Sequence, residues 1–186
     1  MMDQFLEEVV TKRNRGVQTA SYIAANLLMV LLGLTAFLYF TSLTTVLTQE
    51  GFGGAFFITV ASILLFGGGA VLLFLYRDRL KMEYEYTFTN GQMDFAQVYN
   101  NKKRKNLGTM NIRNVEACGL VSSGSFNRYI NMQGVKRTNW FLNREAELLY
   151  FYFQKENQKR IIIIEPSEEM LALIKRSLSQ GAWQNN

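Results

Sequence analysis

The residues best suited to chemistry in this sequence are cationic. Lys102, Lys103, Arg104 and Lys105 form an unbroken basic run, and Arg77, Arg79 and Lys81 form a second basic group. Near an anionic cytoplasmic leaflet each such charge gains up to about 1 kcal/mol within a Debye length. A solvated hairpin tip is the plainer reading of the run. A third set interleaves cations with rings: Phe126, Arg128, Tyr129, Lys136, Arg137, Trp140 and Phe141. That mixture suits a protein partner, an interfacial belt, or stacking on single-stranded bases. Its structural alternative is a loop that tucks its rings into a core. Nucleic acid is not expected, because the net charge of +5 is modest.

Other chemistry is excluded or poorly supported. Without a single His there is no Ser-His-Asp or Cys-His machinery, and no HExxH zinc site. The one cysteine, Cys118, can form no intramolecular disulfide or multi-Cys metal site, and lacks a neighbour to activate it. Glu145 with Glu147 reads as a strand entrance, and Glu168 with Glu169 as a helix start; neither suggests acid–base catalysis. No cofactor, metal or catalytic residue is expected.

The elements that must position these groups begin with two apolar runs. Gly16–Gln49 and Gly51–Tyr76 contain no Asp, Glu, Lys or Arg. A bilayer core of ~30 Å needs ~20 apolar residues as helix, so spans are predicted over Tyr22–Leu43 and Phe56–Tyr76, joined by Thr44–Ala55. The first run is too long for the ~7–15-residue core of a cleaved signal peptide. Lys12, Arg13 and Arg15 precede the first span, Arg77, Arg79 and Lys81 follow the second, and the link carries only Glu50. Basic residues mark the inner side. The expectation is a multi-pass protein of the cell membrane, residues 16–81 forming a helical hairpin with both termini cytoplasmic. Gly67, Gly68, Gly69 and Ala70 offer a flat helix face for packing within the hairpin or for an oligomer seam.

Residues 1–15 read either as an amphipathic helix along the membrane surface or as a frayed tail that contributes only basic residues. Phe5, Leu6, Val9 and Val10 share one face, opposite Asp3, Glu7, Glu8 and Lys12. From Met82 the texture changes to short strands. Glu83–Thr89 alternates with period two, Asn90-Gly91 supplies a hairpin turn, and Gln92–Tyr99 returns. The basic loop Asn100–Asn106 follows, then strands near 107–112 and 115–121, an irregular stretch over 122–139, and a new strand starting near Trp140. A last hairpin turns at Glu156-Asn157, and Pro166–Glu169 opens an amphipathic helix. Residues 82–186 are enough chain for one independent domain.

Antiparallel hairpins closed by a helix match a PH-like roll of about seven strands, and local periodicity also allows another small antiparallel barrel. The order of amphipathic stretch, two-span hairpin, the string Tyr84–Gly91, basic loop and Glu165–Met170 helix start is similar to a family of small two-span membrane proteins of Gram-positive bacteria with a cytosolic PH-like domain. The resemblance implies that fold and carries over no catalytic residue. The function expected is a membrane-anchored, non-catalytic binding or scaffold protein. Its partners would be proteins, a second copy of itself, or anionic lipid head groups. The alternative is an accessory subunit of a transporter or envelope-synthesis complex, acting through the spans.

Overall fold

The computed structural model describes residues 4–185. Met1–Asp3 and Asn186 lie outside the described residues, and with them the first turn of the helix expected over 1–15. The chain forms two units. One is helical, Asn14–Lys81; the other joins the residues up to Arg13 with those from Met82 onward.

In the helical unit, α1 spans Arg15–Glu50 and α2 spans Gly54–Tyr76, followed by a 3-10 turn over Arg77–Lys81. The connection is only Gly51, Phe52 and Gly53. α1 continues seven residues beyond the expected span end at Leu43, where Gly51 adopts φ 63° and returns its N–H to Leu47. Half-buried Tyr22, Ala25, Met29, Leu32 and Ala36 recur at alternating three- and four-residue steps along α1, the spacing of a helix–helix seam. A methyl group on Gly67 would meet Ala36 at 3.8 Å, and one on Gly69 would meet Leu32 at 3.3 Å. These glycines let the two backbones approach. The remaining faces carry exposed Leu27, Leu31, Leu38, Ile58, Leu65 and Leu72. Both helices are long and apolar enough to cross a membrane.

The β unit contains two sheets. The four-stranded one has the order β1-β2-β3-β4, with β1 Phe5–Val10, β2 Met82–Thr89, β3 Gln92–Tyr99 and β4 Lys103–Asn111. The five-stranded one has the order β6-β8-β7-β5-β9, with β5 Ala117–Leu120, β6 Lys136–Trp140, β7 Leu149–Lys155, β8 Gln158–Ile164 and β9 Trp183–Gln184. Left-handed pairs at Asn90-Gly91, Asn100-Asn101 and Glu156-Asn157 make the three tight hairpins. One core lies between the sheets around Tyr86, Phe88, Phe95, Phe151 and Ile164. α4, Glu168–Ser177, closes it with Met170 and Ile174. α3, Gly124–Ile130, covers the other face of the five-stranded sheet, where Phe126 and Tyr150 share a second core.

Three expectations need correction. Residues 5–10 form a strand rather than an amphipathic helix, pairing antiparallel with β2 from Phe5 opposite Thr89 to Val10 opposite Tyr84. Leu6 and Val10 turn inward, and so does Glu8, whose carboxylate accepts the Ser167 N–H at 3.0 Å at the start of α4. In place of the expected single roll of about seven strands, the β unit has two sheets of four and five strands. The stretch 122–139 is not wholly irregular, since it contains α3 and most of β6.

Candidate binding surfaces

The basic run is a strand, not a loop. The turn ends at Lys102, whose N–H returns to the Tyr99 carbonyl at 3.0 Å, and β4 begins at Lys103. Lys103 stands opposite Tyr99, Arg104 opposite Val98 and Lys105 opposite Gln97. Strand alternation therefore divides the charges. Arg104 lies on the outer face with Glu85, its Nε 2.8 Å from the carboxylate. Lys103 and Lys105 project to the opposite face, both exposed. The same register sets Met82 opposite Tyr99. Lys102 and Lys103 consequently occupy the end of the sheet where β2 begins and β1 finishes.

Arg77, Arg79 and Lys81 belong to the helical unit. Each cation lies over a ring: Arg77 over Phe74 at 5.0 Å, Arg79 over Tyr76 at 4.5 Å and Lys81 over Tyr22 at 4.6 Å. Arg77 also donates to the Asn26 side-chain oxygen and reaches the Met29 sulfur at 3.6 Å. Paired cations and aromatics at the end of an apolar helix are the chemistry of a membrane–water boundary.

The aromatic–basic set is divided. Phe126 is 8% exposed and packs on Tyr150 at 5.4 Å, while Tyr129 packs on Tyr152 at 4.7 Å. Both rings hold α3 against the sheet. Arg128 is exposed on α3, with its guanidinium 5.9 Å from the Tyr129 ring. Arg137 is exposed on β6, its Nε donating to Asn139 at 2.9 Å. Trp140 points the other way, into the inter-sheet core, 4.8 Å from Phe95. No single surface gathers all five residues Phe126, Arg128, Tyr129, Arg137 and Trp140.

Among the described residues, hollows lie on the four-stranded sheet and at the seam between the sheets. A concavity of about 600 Å³ on the outer face of the four-stranded sheet is lined by Glu7, Thr87, Asp94, Arg104 and Asn106, among others. A groove of about 110 Å³ lies between β4 and β6, floored by Phe95, Trp140, Phe153 and Ile162 and rimmed by Lys155 and Arg160. Neither Lys155 nor Arg160 stands out in the sequence. Their only signal is a position flanking the Glu156-Asn157 turn, which puts Phe153 opposite Arg160.

Burial dominates the titratable groups that depart from their ordinary range. It pushes the Cys118 thiol up, leaving it protonated and a poor nucleophile. Tyr86 is pushed up by burial, with its hydroxyl hydrogen-bonded to the Trp140 carbonyl. Tyr150 is likewise raised by burial, against a smaller opposing effect of its 3.0 Å hydrogen bond to Ser125.

Two facing sheets closed by a terminal helix have their counterpart among known families. The family model described as Bacterial PH-like domain (DUF6106) matches residues 2–183. The chain belongs to this family. No curated protein and no solved structure gives a significant match. The match runs through β1, both long helices and the strands that follow, so the PH-like family embraces both units of the chain.

Proposed function

We propose that the chain is a membrane-anchored, non-catalytic scaffold that presents its PH-like domain to cytosolic protein partners, and to anionic lipid head groups at the inner leaflet. The observation that carries this reading is the shared sheet of β1 and β2. Strands in one sheet occupy one compartment, so the chain must leave and return on the same side. Two spans satisfy that requirement; one would not. The even crossing agrees with the basic residues at Lys12–Arg15 and Arg77–Lys81, which favour the cytoplasm for that side. Outward-facing Leu and Ile along both helices favour lipid as their surroundings, since helices apolar on all sides are otherwise core elements.

A second reading is favoured by Gly68. Gly67 and Gly69 face α1, whereas a methyl group added at Gly68 would meet no atom within 4 Å, which leaves a flat patch for another transmembrane helix. The chain would then serve as an accessory subunit of a membrane complex, or as a homo-oligomer. The test of the leading reading is a phosphatase reporter, active only outside the cell, fused in turn to the C-terminus and within Gly51–Gly53. The link fusion should be active and the terminal fusion silent. The reverse pattern, or activity in both, removes the cytosolic scaffold.

A further inference from the structure

The groove at the β4–β6 seam combines an apolar floor with a cationic rim. Phe95, Trp140, Phe153 and Ile162 form the floor, and Lys155 and Arg160 line the edge. Lys136 stands opposite Arg160 in the β6–β8 ladder and adds a third positive charge to that end of the sheet. Among the described residues, no acidic side chain lines the groove. Arg160 is incompletely satisfied: its Nε is buried without a hydrogen-bond partner, and its ion-pair partner Glu156 is 4.0 Å away with a side chain 76% exposed. With its side chain 32% exposed, the rest of the guanidinium is open to a carboxylate supplied from outside.

Size and edge geometry select the kind of ligand. A volume of about 110 Å³ is well below the ~300 Å³ of even a small-molecule site and suits one apolar side chain. Among the described residues β6 pairs with β8 alone. At its far end the Asn139 and Trp140 carbonyls accept the hydroxyls of Tyr84 and Tyr86. The stretch Lys136–Thr138 therefore remains an open edge beside the groove, able to receive a short extended segment. A second copy of this chain is a poor occupant, because the edge strands carry Lys136 and Arg137 on β6 and Lys103 and Lys105 on β4, like charge against like.

We infer that the β4–β6 seam is a docking groove for an acidic, extended segment of a protein partner. One apolar side chain of that segment enters the groove, and a carboxylate beside it meets Arg160 and Lys155. The inference rests on the reading of the domain as a binding module, and it specifies the partner's chemistry and where it sits.

The test pans the full-length protein, in detergent micelles, against a random heptapeptide library. Enriched peptides should share one aliphatic or aromatic residue flanked by Asp or Glu. The double variant Lys155→Glu, Arg160→Glu should bind them at least tenfold more weakly. Thr138→Trp, which fills the groove without changing its charge, should do the same and serves if the charge reversals do not fold. Enrichment of basic or uncharged peptides overturns the proposal. Acidic peptides that bind both variants as tightly as the parent also overturn it, while leaving a binding module with its site elsewhere. If no sequence is enriched, the groove and the protein-binding reading fall together.

Discussion

Val10 lies directly opposite Tyr84 in an antiparallel ladder, although both long helices intervene between them in the chain. The helical hairpin is thus inserted into the loop between the first two strands of the PH-like domain. β1 covers the edge of β2, and its Leu6 and Val10 complete one side of the inter-sheet core. The end of β1 and the beginning of β2 are neighbours in the sheet, as in an ordinary hairpin.

A fragment beginning at Met82 should therefore be unstable, because it exposes the β2 edge and loses that core flank. Joining residues 4–13 to residues 82–185 through a short Gly/Ser linker should restore a cooperative urea transition. Equal midpoints for the two proteins would deny β1 its structural role.

Asn143 ties the exit of β1 to the rest of the domain. Its side chain accepts the Arg13 N–H at 2.8 Å and donates to the Thr11 carbonyl at 3.0 Å and to Glu165 at 2.7 Å. Asn143→Ala removes these three bonds and should cost about 2 kcal/mol in the linked domain. Denaturant unfolding measures it directly, and a loss within the error of zero would show the link to be incidental.

Lipid attraction should be unequal along the basic strand. Arg104 is neutralised by Glu85, whereas Lys103 and Lys105 project to the other face. Replacing both lysines by Gln should weaken low-salt sedimentation of the linked domain with anionic vesicles by up to about 2 kcal/mol. Arg104→Gln should matter less. Binding that ignores both salt and the lysines would leave β4 without a lipid role.

Stability should fall in alkali. Burial raises the folded-state pKa of Tyr86 and Tyr150 above the unfolded value of about 10. The unfolded chain then loses protons first, so the stabilisation is complete below about pH 10 and is lost as pH rises through the folded values. Cys118 adds the same trend from the lower thiol range, again through burial. Melting temperatures across pH 8–11 should decline, and Tyr86→Phe should flatten the decline while lowering stability at neutral pH. A profile unchanged by the substitution would remove Tyr86 from the account.

Much of this architecture is legible in local pattern. Unbroken apolar runs announce the two helices, and Asn90-Gly91 and Glu156-Asn157 announce their hairpins. β1 is hidden because Phe5–Val10 pairs its apolar and acidic residues at helical spacing, with a Glu on each face of the strand, and its partner strand lies beyond the helical hairpin. The start of β4 is concealed because Lys and Asn have low strand propensity, which pairing with β3 overrides. α3 is hidden by Gly and Ser, although Phe126, Tyr129 and Ile130 recur at helical spacing. The groove draws on five strands spread between Phe95 and Ile162, so no short window of residues could reveal it.

The interrupted first hairpin also sets an order of events during synthesis. β1 leaves the ribosome first, and about 70 residues must follow before its partner emerges, a wait of ~4–15 s at ~5–20 residues per second. Until then Leu6 and Val10 have no sheet to join. The sheet can close only after the inserted segment has been made and β2 has come back beside β1. On the two-span reading proposed above, a helix that fails to insert would strand β1 and β2 on opposite sides and leave the sheet without its first strand.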